Sequence, residues 1–213
     1  MLVGKRMKYP VITLPPEMPI TEALNLMRRE NIRRAPVCKD GKLVGIISDK
    51  DLLNASPSPA TSLSVWEMNY LLSKITIEEV MTKSVLTVTE DTPIEEAARM
   101  MADRKVGGLP VMRGEEVVGI ITETDLFKVF LEMMGAREVG VRLTVAMPNK
   151  PGQLAKITQA IFNEGGNIIA LGTFIGDDPS LFSITIKVNG IEREKLRSLV
   201  EPLVTKVLDL RVC

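Results

Sequence analysis

The chain has 213 residues, with 27 Lys plus Arg set against 27 Asp plus Glu and no histidine at all. Hydrophobic residues at 45% and charged residues at 25% can bury a core, and zero net charge gives no overall pull toward nucleic acid or an anionic membrane. The missing histidines exclude His-assisted nucleophiles, imidazole acid/base chemistry and His-ligated zinc, and two distant cysteines, Cys38 and Cys213, supply neither a four-thiolate zinc site nor a disulfide framework.

An internal repeat organises the first 130 or so residues. Residues 11–52 slide onto 85–126 without a gap, and fifteen of the forty-two positions are identical. Each copy reads as strand, helix, strand, strand, helix. The chain order starts with short β-branched strands at Val11–Leu14 and Val85–Val88. Pro19 and Pro93 follow at the first helical position, and Thr92 with Glu95 makes a capping box for the second helix. Apolar residues then recur at helical spacing: Ile20, Ala23, Leu24 and Met27 in one copy, Ile94, Ala97, Ala98 and Met101 in the other. Ala35–Cys38 and Leu43–Ile47 form a hairpin about Asp40-Gly41, repeated by Leu109–Met112 and Val117–Ile121.

Each copy closes on a matched signature, Gly45-Ile46-Ile47-Ser48-Asp49-Lys50-Asp51 and Gly119-Ile120-Ile121-Thr122-Glu123-Thr124-Asp125. Ser48 and Thr122 stand where a strand gives way to a helix, so free N–H groups and a hydroxyl face a potential phosphate. Asp51 and Asp125, one turn on, are placed to accept from ribose hydroxyls; the same spacing is also an ordinary capping box. The arrangement resembles a tandem CBS-domain pair, a regulatory module for adenine nucleotides. The resemblance implies a ligand site drawn from Thr13, Arg33, Arg34, Ala35, Ser48 and Asp51 in one copy. In the other it draws on Thr87, Gly107, Gly108, Leu109, Thr122 and Asp125. The copies differ before the middle proline, Arg33-Arg34 against Gly107-Gly108. The arginines are expected to hold phosphate, and the glycine side a base or a less charged adenosine compound.

Residues 56–76 read as a linker, Ser56-Pro57-Ser58-Pro59, and a helix opened by Ser64 and Glu67 and carrying Trp66 and Tyr70. This insertion is similar to that of AcuB-type (acetoin utilisation) proteins. After Gly135 the pattern changes. Val141–Met147 alternates as a half-buried strand, a turn at Pro148–Gly152 leads into a helix with Leu154, Ile157, Ile161 and Phe162, and Gly165-Gly166 ends it. Two strands, Ile168–Ile175 and Leu181–Val188, a helix over Glu192–Val200 and a strand Val207–Val212 complete βαββαβ, the ferredoxin-like order. Here the chain resembles an ACT domain, which commonly binds amino acids. That resemblance implies a ligand site at Asn149, Pro151, Gly152, Gln153 and Leu154 together with Asn167 and Ile168, although Asn149 stands where family members often carry Asp.

The expected class is α/β (α+β): CBS unit 1 over 1–55, linker and connecting helix over 56–76, CBS unit 2 over 77–135 and an ACT domain over 139–213. The expected function is non-catalytic, a sensor of AMP, ADP, ATP or a relative such as S-adenosylmethionine, with an amino acid as a second signal at the ACT domain. A homodimer and a regulated protein partner follow from the resemblance, with no nucleic acid, no metal and no catalytic residues. The alternative is a constitutive interaction module whose sites are degenerate. No apolar run reaches the roughly 18 residues that cross a bilayer, and Pro10, Pro15 and Pro16 interrupt the basic N-terminus, so a soluble cytoplasmic protein is expected.

Overall fold

A computed structural model describes residues 1–55, 74–176 and 178–213. The helix expected around Ser64 and Trp66 lies outside them. The chain divides into two compact units, Met1–Leu126 and Phe127–Cys213.

In the first unit the repeat is obeyed by contacts as well as by residues. Helix α1 (Ile20–Arg29) leads into the hairpin β1 (Arg34–Lys39) and β2 (Lys42–Ser48), and α2 (Asp49–Asn54) follows. The second copy opens with the one-turn helix α3 (Ile77–Val80). The two-residue β3 (Val88–Thr89), α4 (Ile94–Arg104), β4 (Gly108–Arg113), β5 (Glu116–Thr122) and α5 (Glu123–Met133) follow. Each amphipathic helix buries its 3.6-period stripe, Ile20, Ala23 and Met27 in α1 and Ile94, Ala97 and Met101 in α4. Asp40 and Gly41 both adopt positive φ, 49° and 78°, as the expected two-residue turn requires.

The segment ahead of each copy straps across the other copy. Leu2 bridges Pro93 while Thr76 bridges Pro19, and Lys8 bridges Ile120 while Thr82 bridges Ile46. Val3 and Met7 thereby join the core built on Ala97, Leu109 and Ile121, and Ile77 and Met81 join the one built on Ala23, Val37 and Ile47. These crossings explain the glycine of each signature. A Cβ on Gly45 would overlap the Met81 sulfur, and one on Gly119 would overlap that of Met7. The sequence pattern alone did not reveal this exchange, because the straps are too short to carry a period.

Several expected details change. Val11–Leu14 is no strand: only Leu14 makes a bridge, to Val37, whereas β3 extends the equivalent pairing from Val88 to Thr89. Pro15 and Pro16 account for the difference, since neither has an N–H to continue a ladder. Pro19 and Pro93 cap their helices from just outside rather than opening them, and neither supplies a side-chain bond. Thr92 does not cap α4; its hydroxyl accepts from the Thr89 N–H at 3.0 Å.

The second unit is a four-stranded antiparallel sheet in the order β7-β8-β6-β9, with β6 (Val141–Pro148), β7 (Asn167–Ile175), β8 (Leu181–Asn189) and β9 (Lys206–Val212). Helices α6 (Gln153–Asn163) and α7 (Arg193–Val200) pack on one face. Ile157, Ile161, Leu196 and Val200 meet Leu143, Val145, Ile184 and Ile186 in a continuous core. This is the ferredoxin-like arrangement expected from the element order.

Candidate functional site

A cavity of about 460 Å³ opens in the first unit beside the first signature. Strand β2 delivers Ser48 to its rim because the ladder ends there: Arg34 pairs with Ser48 in register, and the Asp49 N–H turns to the Arg33 carbonyl at 3.0 Å. Ser48 then caps α2 reciprocally. The Asp51 N–H donates to Ser48 Oγ at 3.2 Å, and both the Ser48 N–H and its hydroxyl donate to Asp51 Oδ2, at 2.9 and 2.6 Å. The hydroxyl proton is thus committed to Asp51 and one lone pair to the Asp51 N–H, so toward a ligand Ser48 Oγ offers its remaining lone pair rather than the donor expected of it. Asp51 keeps Oδ1, which makes no hydrogen bond among the described residues.

Six of the expected residues line this cavity: Arg34, Ser48, Asp51, Gly107, Gly108 and Leu109. Thr13, Arg33 and Thr87 are exposed and stand apart from it, and Ala35 is fully buried in the first copy's core. Thr122 and Asp125 form the matching capping box at the repeat-related position, with the Thr122 N–H and hydroxyl donating to Asp125 Oδ2 at 3.0 and 2.6 Å.

Sequence reasoning missed two groups. Thr82 and Ser84 come from the strap, and Arg104 and Lys105 from the end of α4. Lys105 adopts φ 53° at the helix end, as Asn31 does at φ 51° in the first copy, so the same backbone corner presents a cation in one copy and an amide in the other. The adjacent pair Arg104-Lys105 just before the two glycines was the available signal. The side chains of Arg34, Arg104 and Lys105 have no ion-pair or hydrogen-bond partner among the described residues. Three cations and the single carboxylate of Asp51 therefore share one concave site, an arrangement suited to an anion carrying hydroxyl groups.

The glycine pair does not leave open space. The Arg34 side chain lies along it: a Cβ on Gly107 would overlap the guanidinium, and one on Gly108 would lie 3.2 Å from Arg34 Cδ. The space beside the two glycines, where a base is expected, is the space along which the first copy's arginine side chain lies.

In the second unit the expected ligand residues fall at the two ends of α6. Gly152 precedes the helix at φ 83°, a conformation that only glycine adopts cheaply. Asn149 does not cap that helix. Its amide Nδ2 donates to the Pro179 carbonyl at 3.4 Å and its N–H to the Ser180 carbonyl at 2.8 Å, tying β6 to the β7–β8 turn. Pro151, Gln153 and Leu154 stand at the start of α6. Asn167 and Ile168 line a separate depression of about 410 Å³ with Thr158, Gln159 and Phe162. An eleven-residue helix separates the two groups by roughly 16 Å at 1.5 Å per residue.

Among the described residues no cluster of His, Cys, Asp or Glu could hold a metal, and no helix is long and apolar enough to cross a membrane. Burial pushes the Cys38 thiol up from its ordinary value, which keeps it protonated at neutral pH.

A duplicated half-unit with swapped straps, signature capping boxes and a cavity at the first of them defines a CBS pair. The CBS-domain model matches residues 3–58 and 77–132, just over half of the chain, and this protein belongs to that family. A TTHA0829-like ACT domain matches residues 139–211. The chain is 34% identical over 131 residues to L-aspartate semialdehyde sulfurtransferase of Methanocaldococcus jannaschii, a match spanning 61% of this chain but only 23% of that enzyme. The CBS domain pair of protein MJ0100, solved in complex with 5′-methylthioadenosine and S-adenosyl-L-methionine, superposes with TM-score 0.52 at 33% identity, covering 65% of this chain and 98% of that one. A protein assigned to acetoin utilisation, AcuB of Vibrio cholerae, superposes with TM-score 0.53 at 29% identity, covering 64% and 95%.

Proposed function

We propose that this protein is a non-catalytic regulatory sensor in which the CBS pair binds an adenine nucleotide or a related adenosine compound. Occupancy would bias the packing of the two copies and so reach a protein partner. The observation that carries the reading is the trio Arg34, Arg104 and Lys105, without partners among the described residues and gathered with Asp51 about one cavity. The carboxylate suits ribose hydroxyls and the cations suit phosphate. The complex of the MJ0100 pair with two adenosine compounds supports the ligand class.

For the ACT unit we propose an amino-acid site at the start of α6, formed by Asn149, Pro151, Gly152, Gln153 and Leu154. It would be completed by Asn167 and Ile168 of a second copy in a cytoplasmic homodimer, since one chain holds those groups apart. A second reading, a constitutive interaction module, is favoured for this unit by the engagement of the Asn149 amide with Pro179. The resemblance to AcuB extends the proposal to acetoin utilisation.

A thermal-shift screen with AMP, ADP, ATP, S-adenosylmethionine and the amino acids tests both units. Stabilisation by at least one adenosine compound is expected, about 2.7 kcal/mol at a hundredfold excess over Kd. No shift with any of them would leave the constitutive module as the better account.

A further inference from the structure

The cavity beside the first signature sorts by the charges that line it. Arg34, Arg104 and Lys105 bring three cations and Asp51 the one carboxylate, while every other lining residue is apolar, glycine, serine or threonine. Glu123 Oε2 also comes near the Arg34 guanidinium, both beside the position a Cβ of Gly107 would take, but Glu123 does not line the cavity. The cations stand close together. The Arg34 guanidinium lies against Gly107, and Lys105 is two residues from that glycine, so its Cα is within about 7 Å of it. Asp51 already accepts two hydrogen bonds from Ser48 through Oδ2, which leaves Oδ1 for a hydroxyl. The carboxylate therefore fits the uncharged, hydroxyl-bearing part of a ligand, and the cations fit a part that carries negative charge.

We propose that this site selects its adenosine ligand by phosphate charge, with affinity rising with phosphate number, and discriminates against 5′-methylthioadenosine and S-adenosylmethionine. Arg104 and Lys105, at the end of α4, are its specificity-determining residues. This deepens the nucleotide-binding reading and rests on it. A phosphate monoester brings roughly −1.5 to −2 charges at neutral pH, and each further phosphate adds negative charge where cations are in surplus. 5′-Methylthioadenosine brings none, so the three cations gain no partner when it binds. S-adenosylmethionine sets a sulfonium and an ammonium against one carboxylate, and its net positive charge is repelled. The preferred ligands thus differ from the two compounds held by the MJ0100 pair. The equivalent helix end in the first copy carries Glu30 and Asn31 in place of Arg104 and Lys105. Asn31 and Lys105 share the same backbone corner, φ 51° and 53°, so the first copy's residues can be exchanged into the second without strain.

Isothermal titration of the full chain, in EDTA to keep divalent cations off the phosphates, distinguishes the outcomes. Affinity is expected to fall in the order ADP, AMP, 5′-methylthioadenosine, S-adenosylmethionine, with ADP at least roughly tenfold above 5′-methylthioadenosine. Raising the salt from about 0.05 to 0.3 M should weaken ADP several-fold and 5′-methylthioadenosine by less than about twofold. Arg104→Glu together with Lys105→Asn should lower the ratio of ADP to 5′-methylthioadenosine affinity at least roughly tenfold and tighten S-adenosylmethionine, and circular dichroism checks that the variant keeps its fold. AMP binding more tightly than ADP, or either sulfur compound binding as tightly as ADP, would overturn selection by charge while leaving the nucleotide reading in place. So would an unchanged affinity ratio in the folded variant. Absence of binding by every adenosine compound would remove the nucleotide reading itself.

Discussion

The two copies of the CBS pair share a framework and differ in chemistry, and several of the positions that differ in charge line the cavity. Ala23 and Ala97, Val37 and Val111, and Ile47 and Ile121 are identical pairs and fully buried in their respective cores. Arg34 faces Gly108 and both line the cavity, whereas of Glu30 and Arg104, and of Asn31 and Lys105, only the second-copy member does. Identity between the copies thus marks the cores and the shared carboxylates Asp51 and Asp125, while the cations of the cavity come from positions that diverge. Even the signature glycines fall in the first class, since Met81 and Met7 lie where their side chains would be.

The largest effects should come from the shared framework and be equal in the two copies. Ile47→Ala and Ile121→Ala each empty a fully buried site, and each is expected to cost about 2–5 kcal/mol in denaturant unfolding. A difference above roughly 2 kcal/mol between them would break the equivalence of the cores. Gly45→Ala and Gly119→Ala come next, at about 1–3 kcal/mol each, from overpacking against a methionine sulfur. Pairing Gly45→Ala with Met81→Ala should recover part of that loss in a double-mutant cycle. Failure to recover would mean that the strap is not what fixes the glycine.

The divergent positions should behave in the opposite way, with binding affected and stability nearly unchanged. Arg34→Ala is expected to lower AMP affinity at least tenfold, about 1.4 kcal/mol, and Arg33→Ala by less than threefold, because Arg33 is exposed and stands outside the cavity. Equal losses from the two arginines in a titration would dissolve the distinction between them.

The same contrast explains what could be read from the sequence. The hairpins, the helical stripes and the βαββαβ order were legible because each carries a period or a turn residue, as at Asp40-Gly41 and along Ile20, Ala23 and Met27. The swapped straps were not, since a three-residue turn at Val3–Lys5 and the four-residue α3 are too short for any period to show. The first strand was over-read because β-branched residues at Val11–Leu14 outweighed the two prolines that stop it. In the site, Ser48 and Asp51 were found from their spacing, and Arg34 from its charge. Arg104 and Lys105 were missed because they belong to the end of a helix in the other copy and reach the cavity only through the tertiary fold. That Arg34 lies beside Gly107 and Gly108 was not legible for a related reason: what fills the space beside a glycine is decided by a residue 73 or 74 positions away.

The smallest effect concerns a pair that one copy has and the other cannot form. Glu90 receives two hydrogen bonds from the Arg113 guanidinium, Nε to Oε2 and Nη2 to Oε1, each 2.8 Å. The equivalents in the first copy are Pro16 and Lys39, and Lys39 reaches instead toward Glu17 at 3.6 Å. The Arg113 hydrogen bond, opposed by some desolvation and aided by its charge, holds the Glu90 carboxyl below the usual glutamate range. Because the folded value lies below the unfolded one, the pair's contribution is fully present above about pH 4.3, the ordinary glutamate value, and is lost as pH falls through the lowered value. Both groups face solvent, so the contribution is small and salt screens it over about 10 Å at 0.1 M. Carboxyl titration by NMR should place Glu90 below an ordinary glutamate, and Arg113→Lys, which copies the first repeat and loses the two-pronged contact, should return it most of the way. An unshifted Glu90 in the parent protein would show that the fork is not populated in solution, and this difference between the copies would then be confined to residue identity.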